Sequence, residues 1–280
     1  MVFTGDPMTR RSTRPASQWW QDECPAVACR FPDGEVVCDD ALHFLSLLKP
    51  ECASVVLLDP PFNLGKTYGR RNKSADRLDD QCYFDYISGV IQKSKEVLRP
   101  GGALFLYHIP RWAVKFAPVL GNDMLFRHWI AVSMKNGFPR GKYLHPAHYA
   151  LLYYTKGQPS RFSRPKTDPA TCRHCGGLVK DYGGYKKFVE HGVNLSDVWE
   201  DISPVRHRKY KHRRSNELPM KIPNRVMEIS GMRGGLLIDP FSGSGPALIA
   251  ARKGGMFFVG CDRDRTTLSL ARKRLEVEPT

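Results

Sequence analysis

Hydrophobic positions fall along this chain in two alternating patterns. Short, unbroken apolar runs predict strands at Glu35–Cys38, Ala53–Leu58, Ala103–Tyr107, Trp129–Met134, Tyr149–Tyr154, Leu236–Asp239 and Phe257–Asp262. Continuous Val/Leu runs suit strands covered on both faces of a parallel sheet. Between them, apolar residues at helical spacing predict helices at Ala41–Leu48, Tyr83–Leu98, Ile222–Ser230, Gly245–Lys253 and Thr266–Leu275. Pro100-Gly101-Gly102 is expected to stop the second of these. Strands alternating with helices predict an α/β, doubly wound, mostly parallel sheet.

Three stretches lack such a pattern. Residues 1–30 read as a flexible basic arm that begins to dock at Trp19 and Trp20. Residues 66–81 read as a mobile loop, and 155–215 as an inserted basic module. The expected organisation is therefore an arm (1–30), one half-domain (31–154), the insert (155–215) and a second half-domain (216–280).

Charge narrows the partners. The chain has 280 residues, with 43 Lys+Arg against 28 Asp+Glu and a net charge of +15. Such an excess favours a polyanion, and nucleic acid is the commonest. At 41% hydrophobic residues a real core is expected, not global disorder. No apolar run approaches the ~18 residues that would cross a bilayer. Arg10, Arg11 and Arg14 without an apolar segment predict no secretory signal. Eight scattered cysteines suit a reducing cytoplasm better than a disulfide scaffold.

Two motifs carry chemistry. In the first, the strand Leu236–Asp239 runs into Pro240-Phe241-Ser242-Gly243-Ser244-Gly245 and then a helix. Gly243 and Gly245 let the backbone approach a ligand, and the helix start offers unpaired N–H groups to an anion. Asp262, ending the next strand, is placed to accept hydrogen bonds from ribose hydroxyls. Together these predict a site for a ribose-bearing molecule.

The second motif is Asp59-Pro60-Pro61-Phe62 at the end of an apolar strand. Two prolines stiffen the backbone and remove two N–H donors. What remains is an acceptor array, the Asp59 carboxylate and the Pro60 carbonyl, with an aromatic ring alongside. That array suits an exocyclic amine on a planar base.

In combination the motifs resemble the amino-methylating DNA methyltransferases that use S-adenosylmethionine. That family carries a [DNS]-P-P-[YFW] catalytic tetrapeptide and an F-x-G-x-G cofactor turn. Here the tetrapeptide comes first, as in the family's beta arrangement, with target recognition between the two. The resemblance covers roughly residues 34–275. It implies catalysis by Asp59, Pro60, Pro61 and Phe62. It also implies cofactor binding by Asp39, Lys221 and Asp262, together with Asp239, Pro240, Phe241, Ser242, Gly243, Ser244 and Gly245. Lys221 would pair with the cofactor carboxylate, and Asp39 would approach its adenine.

Double-stranded DNA is the implied partner. Lys66, Arg70 and Arg71 of the loop, and Arg206, Arg208, Lys209, Lys211, Arg213 and Arg214 of the insert, are the candidate phosphate contacts. A target base would be extruded from the duplex to reach the site.

The sequence departs from the family's pattern at Pro246, where Thr is common, and at Leu218-Pro219-Met220-Lys221. Asp in the first position of the tetrapeptide leans to adenine N6, with cytosine N4 as the alternative. A catalytically silent DNA-binding subunit is a further alternative, against which the intact motifs speak. Cys172-x-x-Cys175 is half of a zinc site with no second Cys pair; His191, or His207 and His212, could complete it at irregular spacing, so no metal is assigned and zinc at this pair stays open. The sequence leaves open the recognised DNA word, a homodimer and a companion restriction endonuclease.

Overall fold

The structure, a computed structural model, describes residues 18–21, 27–64, 78–133, 142, 144–169, 171–172, 174–178, 189, 191–203 and 217–277. In chain order the elements are β1 (Val27–Phe31), β2 (Gly34–Val37), α1 (Ala41–Ser46), β3 (Ala53–Leu58), α2 (Asp80–Val97), β4 (Leu98–His108), α3 (Pro110–Gly121), β5 (Leu125–Ser133) and β6 (His148–Thr155). They continue with β7 (Lys166–Thr167), β8 (Val193–Asn194), β9 (Val198–Trp199), α4 (Lys221–Ser230), β10 (Leu236–Asp239), α5 (Pro246–Lys253), β11 (Phe257–Cys261) and α6 (Arg265–Val277).

Nine of these strands form one sheet in the order β1-β2-β11-β10-β3-β4-β6-β5-β9. The run β2-β11-β10-β3-β4 is parallel throughout. β6 then runs antiparallel to both β4 and β5. Alternation along each strand divides the core between two faces. Val56, Leu58, Leu104 and Ile238 pack on one face with Phe44 of α1, Val90 of α2 and Phe116 of α3. Val55, Leu57, Phe105 and Leu237 pack on the other with Val226 of α4, Leu248 of α5 and Leu268 of α6. Every residue of β3 is buried, as an unbroken apolar run in a covered sheet requires.

Three expectations change. Val27–Phe31, at the end of the supposed arm, is an edge strand antiparallel to β2. Trp20 is buried, and its indole donates to Glu35 at 2.9 Å. The second expected helix does stop ahead of Pro100-Gly101-Gly102, α2 ending at Val97, and β4 then runs through those residues. Gly101 sits at φ +73°, and the Gly101 and Lys156 amides donate across the ladder to Lys156 and Gly102. The helix α3 was not foreseen. Pro110 occupies its first turn, where a missing N–H does no harm, while Pro118 lies inside it and masks the pattern. Finally, the region expected as a separate insert contributes β9 to the main sheet, parallel to β5.

Candidate active site at the carboxyl ends of five parallel strands

Parallel strands deliver their carboxyl ends to one edge, where ligands of open α/β sheets bind. Here that edge collects Asp39 after β2, Asp262 after β11, Asp239 ending β10, Asp59 after β3 and His108 ending β4. β3 and β10 are hydrogen-bonded neighbours, with Val55 beside Leu237 and Val56 beside Ile238. The proline corner and the glycine turn, far apart in sequence, therefore emerge side by side.

The glycine turn is tied down at several points. The Ser242 amide and hydroxyl both donate to the Cys261 carbonyl, at 2.8 and 3.1 Å. Asp239 Oδ1 accepts the Phe241 amide at 3.0 Å. Gly243 and Gly245 have φ +53° and +82°, a region that side chains with a Cβ disfavour. Asp262 Oδ2 accepts the Gly243 amide at 3.1 Å and Oδ1 accepts the Asp264 amide at 2.8 Å.

Asp39 Oδ2 lies 2.6 Å from His43 Nδ1, and its carbonyl accepts the Cys261 thiol at 3.3 Å. Burial pushes that thiol's pKa up. Next to it, Asp40 caps α1, accepts the Tyr86 hydroxyl at 2.9 Å and pairs with Arg263.

Asp59 stands among aromatic rings. The pKa values of Tyr107 and Tyr149 are raised first by burial and then by the Asp59 charge. Phe62 packs on His108 (4.8 Å between ring centres), Tyr149 (5.7 Å) and Tyr107 (6.0 Å). Its exposure is only 6%, so its ring forms a wall of the corner, whereas Tyr149 is half-buried. Beyond it, Asn63 adopts φ +56°. Its amide side chain both donates to the Leu78 carbonyl (3.0 Å) and accepts from the Leu78 amide (2.8 Å), holding residues 63 and 78 together.

Lys221 has a protein partner. Its ammonium lies 2.5 Å from Asp201 Oδ2, and Arg225 grips the same carboxylate at 2.8 and 2.6 Å. Partial burial works to raise the Asp201 pKa, but hydrogen bonds from Arg225 and Lys221 outweigh it and hold the carboxyl at about 2. Lys66, Arg70, Arg71, Arg206, Arg208, Lys209, Lys211, Arg213 and Arg214 lie outside the described residues.

Sequence reasoning missed Tyr83, His108, Tyr149 and Arg274. His108 had one available signal, a polar residue at the end of an apolar strand. Glu217 is buried and accepts from Ser244 Oγ (3.1 Å) and Arg274 Nη1 (2.7 Å). Arg274 also donates to the Ser244 carbonyl at 2.9 Å, locking α6 to the glycine turn. Nothing local to Arg274 announces this contact. Among the described residues no group of three or more His, Cys, Asp or Glu could hold a metal, and no helix is long and apolar enough to cross a membrane.

Comparison with known proteins agrees with this layout. Residues 53–273 match the DNA methylase family. The chain is 40% identical over 229 residues to the type II methyltransferase M.BamHI of Bacillus amyloliquefaciens, covering 81% of this chain and 54% of that one. It thus spans about half the length of that relative. It is also 25% identical over 251 residues to M.HpaI of Haemophilus parainfluenzae, covering 88% of this chain and 75% of the relative. Among solved structures, the M1.HpyAVI–SAM complex superposes with TM-score 0.60 at 16% identity, covering 87% of this chain and all of that one. The cytosine-N4-specific PvuII DNA methyltransferase superposes with TM-score 0.62 at 13% identity, covering 86% of each chain. These two likenesses establish the fold.

Proposed function

The chain belongs to the DNA methylase family, and on that premise we propose that it transfers a methyl group from S-adenosylmethionine to the exocyclic amine of a base in double-stranded DNA. One observation carries the proposal. The acceptor corner Asp59–Pro61 and the glycine turn Gly243–Gly245 leave adjacent parallel strands at the same edge.

The donor set suits the cofactor. Gly243 and Gly245 form the turn in left-handed backbone, and the missing Cβ of Gly245 lets Ala271 of α6 pack close beneath it. Asp39 and Asp262 supply acceptors to ribose and adenine, and the surrounding acidic edge suits a molecule with a positively charged sulfur and an ammonium group. Bound there, S-adenosylmethionine supplies an already activated methyl group. Lys221, which pairs with Asp201 at the surface, is kept as the candidate partner of the cofactor carboxylate.

The protein's task is the nucleophile. A base amine has its lone pair delocalised into the ring. Hydrogen bonds from its two N–H groups to the Asp59 carboxylate and the Pro60 carbonyl favour a pyramidal nitrogen and aim the lone pair. This is positioning and electrostatics. Asp59 need not remove a proton first, because the amine sheds one after it has gained the methyl group. A base still paired in the duplex cannot enter, so it must be extruded, with Phe62 and Tyr149 as aromatic neighbours. The basic residues of the 66–73 and 206–214 segments are assigned to phosphate contact on charge.

Asp59 at the head of the tetrapeptide favours adenine N6 by resemblance. The acceptor pair itself serves cytosine N4 equally. Label transfer from tritiated cofactor to duplex DNA, followed by nucleoside separation, tests both levels. Labelled N6-methyladenine is expected. Labelled N4-methylcytosine keeps the mechanism and changes the base. Label in RNA or protein but not DNA, or in nothing at all, overturns the proposal.

A further inference from the structure

Within the tetrapeptide almost every backbone torsion is already fixed. The rings of Pro60 and Pro61 set both their φ angles. Asp59 and Pro60 each precede a proline, which restricts their ψ angles to the extended region. The soft torsion left inside the corner is ψ of Pro61, which aims the Pro61 carbonyl and sets where Phe62 goes. That carbonyl is held: the Tyr83 hydroxyl of α2 lies 2.5 Å from it.

Tyr83 is itself oriented. Its oxygen lies 2.7 Å from His108 Nε2 at the end of β4. On the other side of the imidazole, Nδ1 accepts the Ile109 amide at 2.8 Å. His108 is fully buried, and burial lowers its pKa to about 3, so the ring is neutral. With Nδ1 accepting, the single ring proton sits on Nε2 and is donated to Tyr83. The Tyr83 proton is then directed at Pro61. The same imidazole packs against Phe62, and the Tyr83 ring rests on Trp112 at 4.6 Å between centres.

We infer that Tyr83 and His108 are positioning residues for methyl transfer, a one-way hydrogen-bond chain that locks the last free torsion of the acceptor corner. The inference rests on the reaction proposed above. Neither residue touches the substrate amine; both act through Pro61 and Phe62.

The test uses the full chain and steady-state kinetics on duplex DNA, with cofactor affinity measured separately by calorimetry. Tyr83→Phe should lower kcat by about 10- to 100-fold, the scale of a misplaced near-attack geometry. Cofactor affinity and the Michaelis constant for DNA should stay within about twofold. His108→Gln retains an N–H donor near the Nε2 position and should keep much of the wild-type kcat, whereas His108→Leu should match Tyr83→Phe. Tyr154→Phe, which removes a hydroxyl bonded to the Ala117 carbonyl away from the corner, should leave kcat unchanged. The inference is overturned if folded Tyr83→Phe turns over at the wild-type rate, if Tyr154→Phe loses as much, or if His108→Gln and His108→Leu fall equally. A wild-type protein that labels no DNA overturns the reaction itself, and the two failures are thus distinct.

Discussion

Replacing Arg274 with leucine should loosen the glycine turn from behind. Arg274 is 14% exposed and its partner Glu217 only 4%. The guanidinium bonds Glu217 Oε1 (2.7 Å), the Ser244 carbonyl (2.9 Å), Ser244 Oγ (3.0 Å) and Met220 Sδ (3.5 Å). Removing one partner of a buried ion pair strands the other charge at a cost of about 3–5 kcal/mol. Against a total stability of roughly 5–15 kcal/mol that is a large share. Replacing both partners, Glu217→Leu with Arg274→Leu, strands no charge. What remains is the loss of donors to Ser244, about 1 kcal/mol for each hydrogen bond. The double variant should therefore be more stable than Arg274→Leu alone. Urea denaturation followed by circular dichroism measures both. Calorimetry should also show cofactor binding weakened in each variant, because Ser244 lies in the turn. A single variant within about 1 kcal/mol of wild type, or a double variant less stable than the single, would refute the reasoning.

Three other outcomes are expected. Asp59→Ala should retain cofactor binding and lose turnover by orders of magnitude, checked by calorimetry alongside label transfer. Gly245→Ala places a Cβ at φ +82° and 3.2 Å from the Ala271 Cβ; the left-handed backbone alone costs about 1–2 kcal/mol, and cofactor affinity should fall with stability. For pH, burial holds His108 at about 3 against an ordinary 6.5. Between those values the unfolded chain binds more protons than the folded one. Stability should therefore be full above pH 6.5 and decline as pH falls toward 3. His108→Gln should show a shallower decline in urea midpoints over pH 4–6.5, and parallel slopes would refute the assignment.

Much of the fold was legible because the strongest signals are local. β3 and β10 fall at the predicted residues, since each is an apolar run closed off by proline. β11 ends one residue early because Asp262 has already turned away to bond Gly243 and Asp264. α3 escaped notice because Pro118 hides its spacing, and β7, β8 and β9 are two residues each, too short to leave a period. The motifs stand out for the same reason that they are rigid: proline and glycine are conspicuous. Their supports are not. Tyr83 reaches Pro61 only after α2 has packed on the sheet, and Arg274 reaches Ser244 only once α6 closes over α5. Such contacts depend on distant pairing that no short window of sequence contains.

The hydrogen-bonded adjacency of β3 and β10 has one more consequence. The spacing at which the glycine turn and the proline corner leave the sheet is set by the distance between paired strands, about 4.8 Å, and not by any loop. A one-residue slip of either strand would displace its motif by about 3.3 Å and turn its side chains over. By contrast, the small β7-β8 sheet stands apart from the main sheet, so changes confined to it leave that spacing unaltered. On the function proposed above, exchanging that segment should change which DNA is methylated while the corner between β3 and β10 keeps its geometry.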